Sequence, residues 1–188
     1  TIRGILTEIE TGFINPVTIG DRVIVSEDGA KGWVIENVLP RRNMLARPDP
    51  LLAPRQQVIA ANIDMLMIVV AWRDPMIWLE LIDRYLIVAQ RSGIEPIICI
   101  NKMDLMSNES GFKTVTDTYS KLSQQVLPTS VLNSLGVHTL RETLRNRTTV
   151  VVGPSGTGKS SLISAVQPNL KLRTAQVSDS NQQGQHTT

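Results

Sequence analysis

Hydrophobic and polar positions follow two different patterns along this chain, and the change falls near residue 58. In the first 40 residues, short and partly alternating apolar runs are separated by glycine-containing turns, which predicts antiparallel β-strands. Trp33, Ile35 and Val38 are candidates for one face of the last strand. Three short strands are typical of part of a small barrel and too few to close it, so further strands are expected upstream. The strands are expected at residues 2–10, 22–26 and 32–39.

From residue 58 the pattern predicts alternating strands and helices. Met65–Ala71 is a continuous apolar run, typical of a buried parallel strand, and apolar residues recur at helical spacing over 77–91, with Trp78 expected in the core. Such alternation predicts a mostly parallel sheet covered on both faces, with ligands at the carboxyl ends of its strands. The other elements are expected at 96–100 (strand), 112–124 (helix), 126–131 (strand), 140–146 (helix), 148–152 (strand) and 159–166 (helix).

The stretch between these two regions is rich in proline and arginine. Proline breaks regular structure, so residues 41–57 are expected to form an interdomain linker. The chain would then consist of a partial β domain at 1–40, this linker, and an α/β domain at 58–188. The arginines could contact phosphate or simply be solvated, and the sequence leaves both open. The residues concerned are Pro40, Pro48, Pro50, Pro54, Arg41, Arg42, Arg47 and Arg55.

Composition changes this picture little. Of the 188 residues, 41% are hydrophobic and 19% are charged, which suits a globular protein, and the net charge of +2 indicates no class of partner. The single cysteine, Cys99, cannot form an internal disulfide, as is usual in a reducing compartment. The longest uncharged apolar run, 65–72, is far shorter than the roughly 20 residues of a membrane span, and no signal peptide is recognisable. Both ends are expected to be cuts in a longer protein.

Residues 153–160 read GPSGTGKS and fit the phosphate-binding pattern G-x-x-x-x-G-K-[ST]. Backbone N–H groups of such a loop bind phosphate oxygens, aided by the dipole of the helix that follows. Lys159 is expected to reach the β- and γ-phosphates, and the Ser160 hydroxyl to bind Mg²⁺. Ser161 could instead be an ordinary first-turn residue. The expected phosphate-binding residues are Gly153, Pro154, Ser155, Gly156, Thr157, Gly158, Lys159, Ser160 and Ser161.

Residues 101–104 read NKMD and fit the guanine-reading pattern N-K-x-D. Ionised Asp104 can accept hydrogen bonds from N1–H and the 2-amino group of guanine, a pair of donors that adenine lacks. This argues against an ATPase or a small-molecule kinase. The Lys102 stem can lie along the base, and Asn101 either braces the phosphate loop or contacts guanine N7. A second base-contacting loop is expected at Thr129-Ser130-Val131, with an ordinary loop as the alternative.

The order of these motifs is unusual, because in an ordinary GTPase the phosphate loop precedes the N-K-x-D segment. Here 101–104 precedes 153–160, an order found in very few families. The tail 168–188 has few large apolar residues and is expected to be mobile. GTPases use a mobile segment to offer a threonine to Mg²⁺ when the γ-phosphate is present, so Thr187 and Thr188 are candidates, against a plain disordered tail.

In these motifs the chain resembles the circularly permuted GTPases, and within them the ribosome small subunit-dependent GTPase family (RsgA, also called YjeQ). Large-subunit relatives resemble it less, because they usually carry Asn-Val where this chain has residues 155–157. The resemblance covers nearly the whole chain. Its residues are Gly20-Asp21, Leu39-Pro40-Arg41, Asn62-Ile63-Asp64 and residues 101–104, 153–162 and 184–188.

The resemblance implies an incomplete OB-fold barrel followed by a circularly permuted α/β P-loop GTPase domain with a mostly parallel sheet. It also implies a zinc-binding C-terminal domain outside this chain, which stops before the family's D-x-P-G motif. One cysteine and two histidines cannot form that zinc site, so Zn²⁺ is expected only in the absent domain.

The activity implied by the resemblance is GTP hydrolysis, stimulated by the 30S ribosomal subunit during its late maturation. Its ligands would be GTP, GDP and Mg²⁺, and the OB domain would contact 16S rRNA. Lys159 and His186 are the expected catalytic residues, His186 by orienting the attacking water, and Ser160 and Thr187 the expected Mg²⁺ ligands. The protein would be cytoplasmic and monomeric, with no membrane contact.

Two other functions stay open at this point. A permuted GTPase could act at another step of ribosome assembly. Alternatively, the chain could be a nucleotide-gated RNA-binding module without turnover, which would bind RNA through the barrel and the linker arginines.

Overall fold

Residues 13–29, 32–48, 55–122 and 124–170 are described by the structure, a computed structural model. They form two units, divided between Asp64 and Met65, with Ser92–Ile94 belonging to the first unit. The strand expected at 2–10 and residues 171–188 of the expected mobile tail lie outside the described residues.

Antiparallel strand pairs build the first unit. Val23–Asp28 (β1) pairs with Gly32–Val38 (β2), as the turn sequences between them predict. Met44–Pro48 (β3) pairs with Gln56–Ala61 (β4). The antiparallel strands agree with the predicted portion of a small barrel.

The prediction of a linker at 41–57 is wrong for the part of this segment that the structure describes. Residues 44–48 form β3, and Leu45 and its neighbour across the pair, Ala60, are 6% and 8% exposed. Pro48 is the last residue of its strand, where a missing N–H does not interrupt the ladder. The first unit therefore continues to Asp64 instead of ending at residue 40.

Trp33, a candidate for one face of β2, lies on the exposed side of the strand. Trp33, expected alongside Ile35 and Val38, is 65% exposed, whereas Val34 is 4% exposed. Successive residues of a strand point to opposite faces, so the interior lies on the side of Val34. A large aromatic side chain does not by itself mark the buried face.

The second unit alternates strands and helices, as the sequence predicts. Its elements are β5 (Met65–Ala71), α1 (Leu79–Ser92), β6 (Glu95–Asn101), a 3₁₀ turn (Met103–Leu105), α2 (Glu109–Lys121), β7 (Gln125–Pro128), α3 (Val137–Leu144), β8 (Thr149–Val152) and α4 (Lys159–Val166). The four strands form one parallel sheet in the order β7-β6-β5-β8. Because all four are parallel, their carboxyl ends meet at one edge of the sheet.

Both faces of this sheet are buried, so the prediction of a covered parallel sheet is confirmed. On one face, Leu140 of α3 and Leu162 of α4 pack in a cluster with side chains of β5, β6 and β7. Leu66 and Ile68 point to the other face and are 0% exposed. The continuous apolar run of β5 is explained by this two-sided burial.

The helices differ in detail from the expectation. Trp78 precedes α1 and is 46% exposed, so its expected place in the core is wrong, whereas Ile82 and Ala89 are 0% exposed. Tyr119 of α2 donates a hydrogen bond to Asp83 of α1 at 3.0 Å, which ties these two helices together. In the described part of the chain, no helix combines the length and apolar character needed to cross a membrane.

Asp21 and Arg41 form a buried ion pair in the first unit. Arg41 Nε and Nη2 donate to the two carboxylate oxygens at 2.7 and 2.9 Å, and the backbone N–H of Thr18 donates at 2.8 Å. The Asp21 side chain is 1% exposed. Burial alone would raise the pKa of Asp21, but the hydrogen bonds and the guanidinium charge together hold this pKa below its usual 3.8.

We expect Asp21→Asn to lower the free energy of unfolding at neutral pH by about 2–3 kcal/mol, because Arg41 then stays charged without its partner. Asp64→Asn is the matched control. Its partner Arg42 is 60% exposed, so this change should cost less than about 1 kcal/mol. Amide hydrogen exchange in β3 and β4 measures the stability of this unit separately.

The same comparison has a pH signature. A carboxylate with a lowered pKa stabilises the fold above its unfolded pKa, and this contribution is lost as the pH falls through the folded pKa. The difference between wild type and Asp21→Asn should therefore shrink below pH 3.8. Equal effects of the two substitutions at neutral pH would contradict the ion-pair account.

Candidate nucleotide-binding site

The loop with the phosphate-binding pattern follows β8 and leads into α4, as predicted. Gly153, Gly156 and Gly158 have φ angles of 143°, 80° and 85°, in the region that favours glycine. A Cβ on Gly153 would lie 2.0 Å from the carbonyl oxygen of Val69, and a Cβ on Gly158 would lie 2.5 Å from Nδ2 of Asn101. The loop therefore approaches β5 and Asn101 so closely that a side chain at these two positions would collide.

Lys159, the first residue of α4, turns back over the loop. Its Nζ donates to the carbonyl oxygens of Gly153 at 2.9 Å and Pro154 at 2.6 Å. Burial lowers the pKa of Lys159, because the charged ammonium is partly removed from water. A phosphate oxygen in the loop could replace these carbonyls and offer the ammonium a full negative charge.

The other predicted phosphate-binding residues lie in the same loop or in the first turn of α4. Ser155, Ser160 and Ser161 are exposed. Thr157 is 1% exposed, and its Oγ1 donates to the Pro154 carbonyl at 3.0 Å. Its side chain thus holds the loop closed, which leaves its backbone N–H for an anion. The first N–H groups of α4 have no acceptor within the helix and are further donors for an anion.

Asn101, the last residue of β6, joins the second motif to the first. Its Nδ2 donates to the carbonyl oxygen of Thr157 at 2.9 Å, and only 2% of the residue is exposed. Of the two roles left open by the sequence, the structure shows the contact with the phosphate loop. The two motifs therefore meet at the carboxyl edge of the sheet.

Lys102 and Asp104 lie next to Asn101 on the surface. Asp104, in the 3₁₀ turn, accepts a hydrogen bond from the hydroxyl of Ser130, which is 0% exposed. The structure thus brings Ser130 to the same place as the N-K-x-D segment. Lys102 adopts a φ of 60°, and its Nζ donates to the carbonyl oxygen of Asp74.

Two contacts at this edge are not identified by the motifs. Thr129, a candidate for touching the base, is instead fully buried and donates from Oγ1 to Oδ1 of Asn101 at 3.2 Å. Residues 72–78 follow β5 and contribute Asp74 beside Lys102. Pro75 of the same segment lies near Gly156, with its Cδ 3.6 Å from the position of an added Cβ. The sequence could have identified this segment by its position directly after a predicted parallel strand, because ligands bind at the carboxyl ends of such strands.

A metal ion at this site would depend on few protein ligands. Among the described residues, no cluster of three or more His, Cys, Asp or Glu side chains could hold a metal ion. Mg²⁺ at a nucleotide site uses one or two protein oxygens with phosphate oxygens and water, so an exposed Ser160 hydroxyl beside the loop fits that chemistry. His186 and Thr187 lie outside the described residues.

The parallel sheet, the phosphate loop after its last described strand and the N-K-x-D segment upstream define the class of circularly permuted GTPases. The chain belongs to the RsgA GTPase family, whose model matches residues 38–188.

Two solved structures share this fold. The crystal structure of YjeQ from Thermotoga maritima superposes with a TM-score of 0.71 at 34% identity, over 93% of this chain and 58% of that one. The structure of YloQ, described as a circularly permuted GTPase, gives a TM-score of 0.63 at 28% identity, over 89% and 55% of the two chains. The likeness confirms the predicted fold class.

Curated relatives carry the name small ribosomal subunit biogenesis GTPase RsgA. The relative from Thermotoga neapolitana is 36% identical over 174 residues, which cover 92% of this chain and 55% of that protein. The relative from Gemmatimonas aurantiaca is 36% identical over 190 residues, covering 100% and 61%. This chain therefore spans little more than half the length of these two relatives.

The close approach at Gly153 can be tested against a second glycine of the same loop. Gly153→Ala should lower the free energy of unfolding by about 3 kcal/mol or more, because the backbone of β5 has no room for a methyl group and φ is unfavourable. Gly156→Ala has the same kind of φ, but its nearest neighbour would be 3.6 Å away. We expect it to cost about 1 kcal/mol. Urea unfolding measures both variants, and similar losses would contradict the described packing.

Proposed function

We propose that this protein binds and hydrolyses GTP at the carboxyl edge of the parallel sheet. The observation that carries the proposal is the hydrogen bond from Asn101 Nδ2 to the carbonyl oxygen of Thr157. It joins a segment suited to a guanine base and a loop suited to phosphates. Membership of the RsgA GTPase family supports the same activity.

The phosphates would bind to backbone N–H groups of residues 153–161 and to the Lys159 ammonium. During attack by water on the γ-phosphorus, Lys159 would stabilise the negative charge that develops on the phosphate oxygens. The Ser160 hydroxyl would be one ligand of a bound Mg²⁺, whose positive charge would help to neutralise the phosphates. From the family motif at 184–188, we propose Thr187 as a second ligand and His186 as the residue that orients the water.

Guanine would be read by Asp104, with Lys102 along the base. The carboxylate can accept from N1–H and the 2-amino group together, and the Ser130 hydroxyl, which donates to its Oδ1, helps to orient it. Adenine offers an acceptor at N1, so it would leave the carboxylate without that partner.

The partner that we propose is the small ribosomal subunit. The support is the name that the relatives carry, small ribosomal subunit biogenesis GTPase RsgA. We further propose that the protein is a cytoplasmic monomer, that it acts in late maturation of the 30S subunit, and that the first unit contacts 16S rRNA. Antiparallel strands of a small barrel are a common platform for single-stranded nucleic acid.

The central experiment measures hydrolysis of GTP and of ATP by the full-length protein, alone and with purified 30S or 50S subunits. We expect GTP-selective turnover that rises with 30S subunits and falls by at least about 100-fold in Lys159→Ala. Lys113→Ala removes an exposed lysine of α2 and should leave the rate unchanged. Stimulation by 50S subunits alone would favour another assembly step. RNA binding without turnover would favour the nucleotide-gated module.

A second experiment tests how the base is read. In Asp104→Asn, the amide keeps one acceptor and gains a donor, which suits xanthine with its 2-oxo group better than guanine with its 2-amino group. We expect the affinity for GDP to fall by about 100-fold, while the affinity for xanthosine diphosphate rises above it. Calorimetric titration with both nucleotides measures this exchange. An unchanged preference for GDP would show that Asp104 does not read the base.

A further inference from the structure

A chain of buried hydrogen bonds continues from Asn101 into the interior, away from any surface where a nucleotide could bind. Thr129 Oγ1 lies 3.2 Å from Oδ1 of Asn101 and 3.3 Å from Sγ of Cys99. Cys99 and Thr129 are both 0% exposed, and Thr157, at the other end, is 1% exposed. The four residues therefore connect strand β6, the end of β7 and the phosphate loop without contact with solvent.

The directions of these hydrogen bonds follow from the groups available. Asn101 uses its amide N–H toward Thr157, so its Oδ1 must accept, and the single hydroxyl proton of Thr129 is the donor. Toward Cys99 the same hydroxyl can then only accept, so the thiol donates. Burial raises the pKa of Cys99 to about 12, which keeps the thiol protonated and able to donate at neutral pH.

We propose that Thr129 and Cys99 are positioning residues for guanine nucleotide binding, which act by holding the Asn101 amide in the orientation that binds the phosphate loop. The inference rests on the proposed function, since it concerns the same site. Without the Thr129 hydroxyl, Oδ1 of Asn101 loses the side-chain donor that it has among the described residues, and the amide can then turn. An Oδ1 facing the Thr157 carbonyl would repel it and separate the loop from the base-reading segment.

Thr129→Val is the informative substitution, because valine has the shape of threonine and retains the backbone contacts. These contacts are N–H to the Ile100 carbonyl and C=O to the Met103 N–H, at 2.8 and 3.1 Å. We expect the Kd for GDP, measured by calorimetry on the full-length protein, to rise about tenfold. Thr129→Ser keeps the hydroxyl and should stay within about twofold of wild type. Thr143→Val, which removes a hydroxyl from α3, is the control and should bind like wild type.

A double-substitution cycle separates positioning from a general loss of stability. In an Asn101→Ala background, Thr129→Val has no amide left to orient and should change the Kd for GDP by less than about twofold. A tenfold loss that persists in this background would overturn the proposal, and so would wild-type affinity in Thr129→Val. If wild type itself shows no preference for GDP over ADP, the proposed function fails, and this inference fails with it.

Cys99 provides an independent pair of variants, which also serves if Thr129→Val does not fold. Cys99→Ser retains a donor and should bind GDP like wild type, whereas Cys99→Ala removes the donor and should raise the Kd about threefold. The smaller effect is expected because the Thr129 hydroxyl still reaches Asn101. Equal Kd values for the serine and alanine variants would remove Cys99 from the chain of hydrogen bonds.

Discussion

One buried amide connects two loops that lie 56 residues apart in the chain. Asn101 reaches the phosphate loop from the end of β6, and Gly158 lacks a side chain where that amide passes. The phosphate loop lies between β8 and α4, and residues 102–104 follow β6. Their relative position depends on this contact and on the parallel sheet that delivers both loops to the same edge.

The sheet also explains how a permuted order of motifs can bring the parts of the proposed GTP site together. β5 lies between β6 and β8, so the strands that end in the two motifs are both neighbours of the same buried strand. Hydrogen bonding between strands fixes their positions regardless of which strand comes first along the chain. The polypeptide can therefore be connected differently while the edge that binds the ligand stays the same.

The sequence predicts the structural elements that depend on local pattern. It does not predict contacts between residues that are far apart along the chain. Apolar runs and helical spacing predict β5, β6 and α4 within a few residues, and the two motifs predict which segments meet at the edge of the sheet. The pairing of β3 with β4 joins segments that are separated along the chain, so the local pattern does not show it. The prolines in this region therefore led to the prediction of a linker. Tertiary packing also determines the exposure of Trp33 and Trp78 and the hydrogen bond between Thr129 and Asn101. The periodicity of apolar residues does not predict either.

The contacts of Lys159 affect the energetic cost of releasing a nucleotide from the proposed site. Its ammonium is already bound to two carbonyl oxygens of the loop, so a phosphate group exchanges with these acceptors instead of meeting a bare charge. On departure of the product, the ammonium returns to the carbonyls, and no uncompensated cation is left in a half-buried position. The closed loop thus lowers the cost of emptying the site, which suits the cycle of nucleotide binding and release that the proposed function requires.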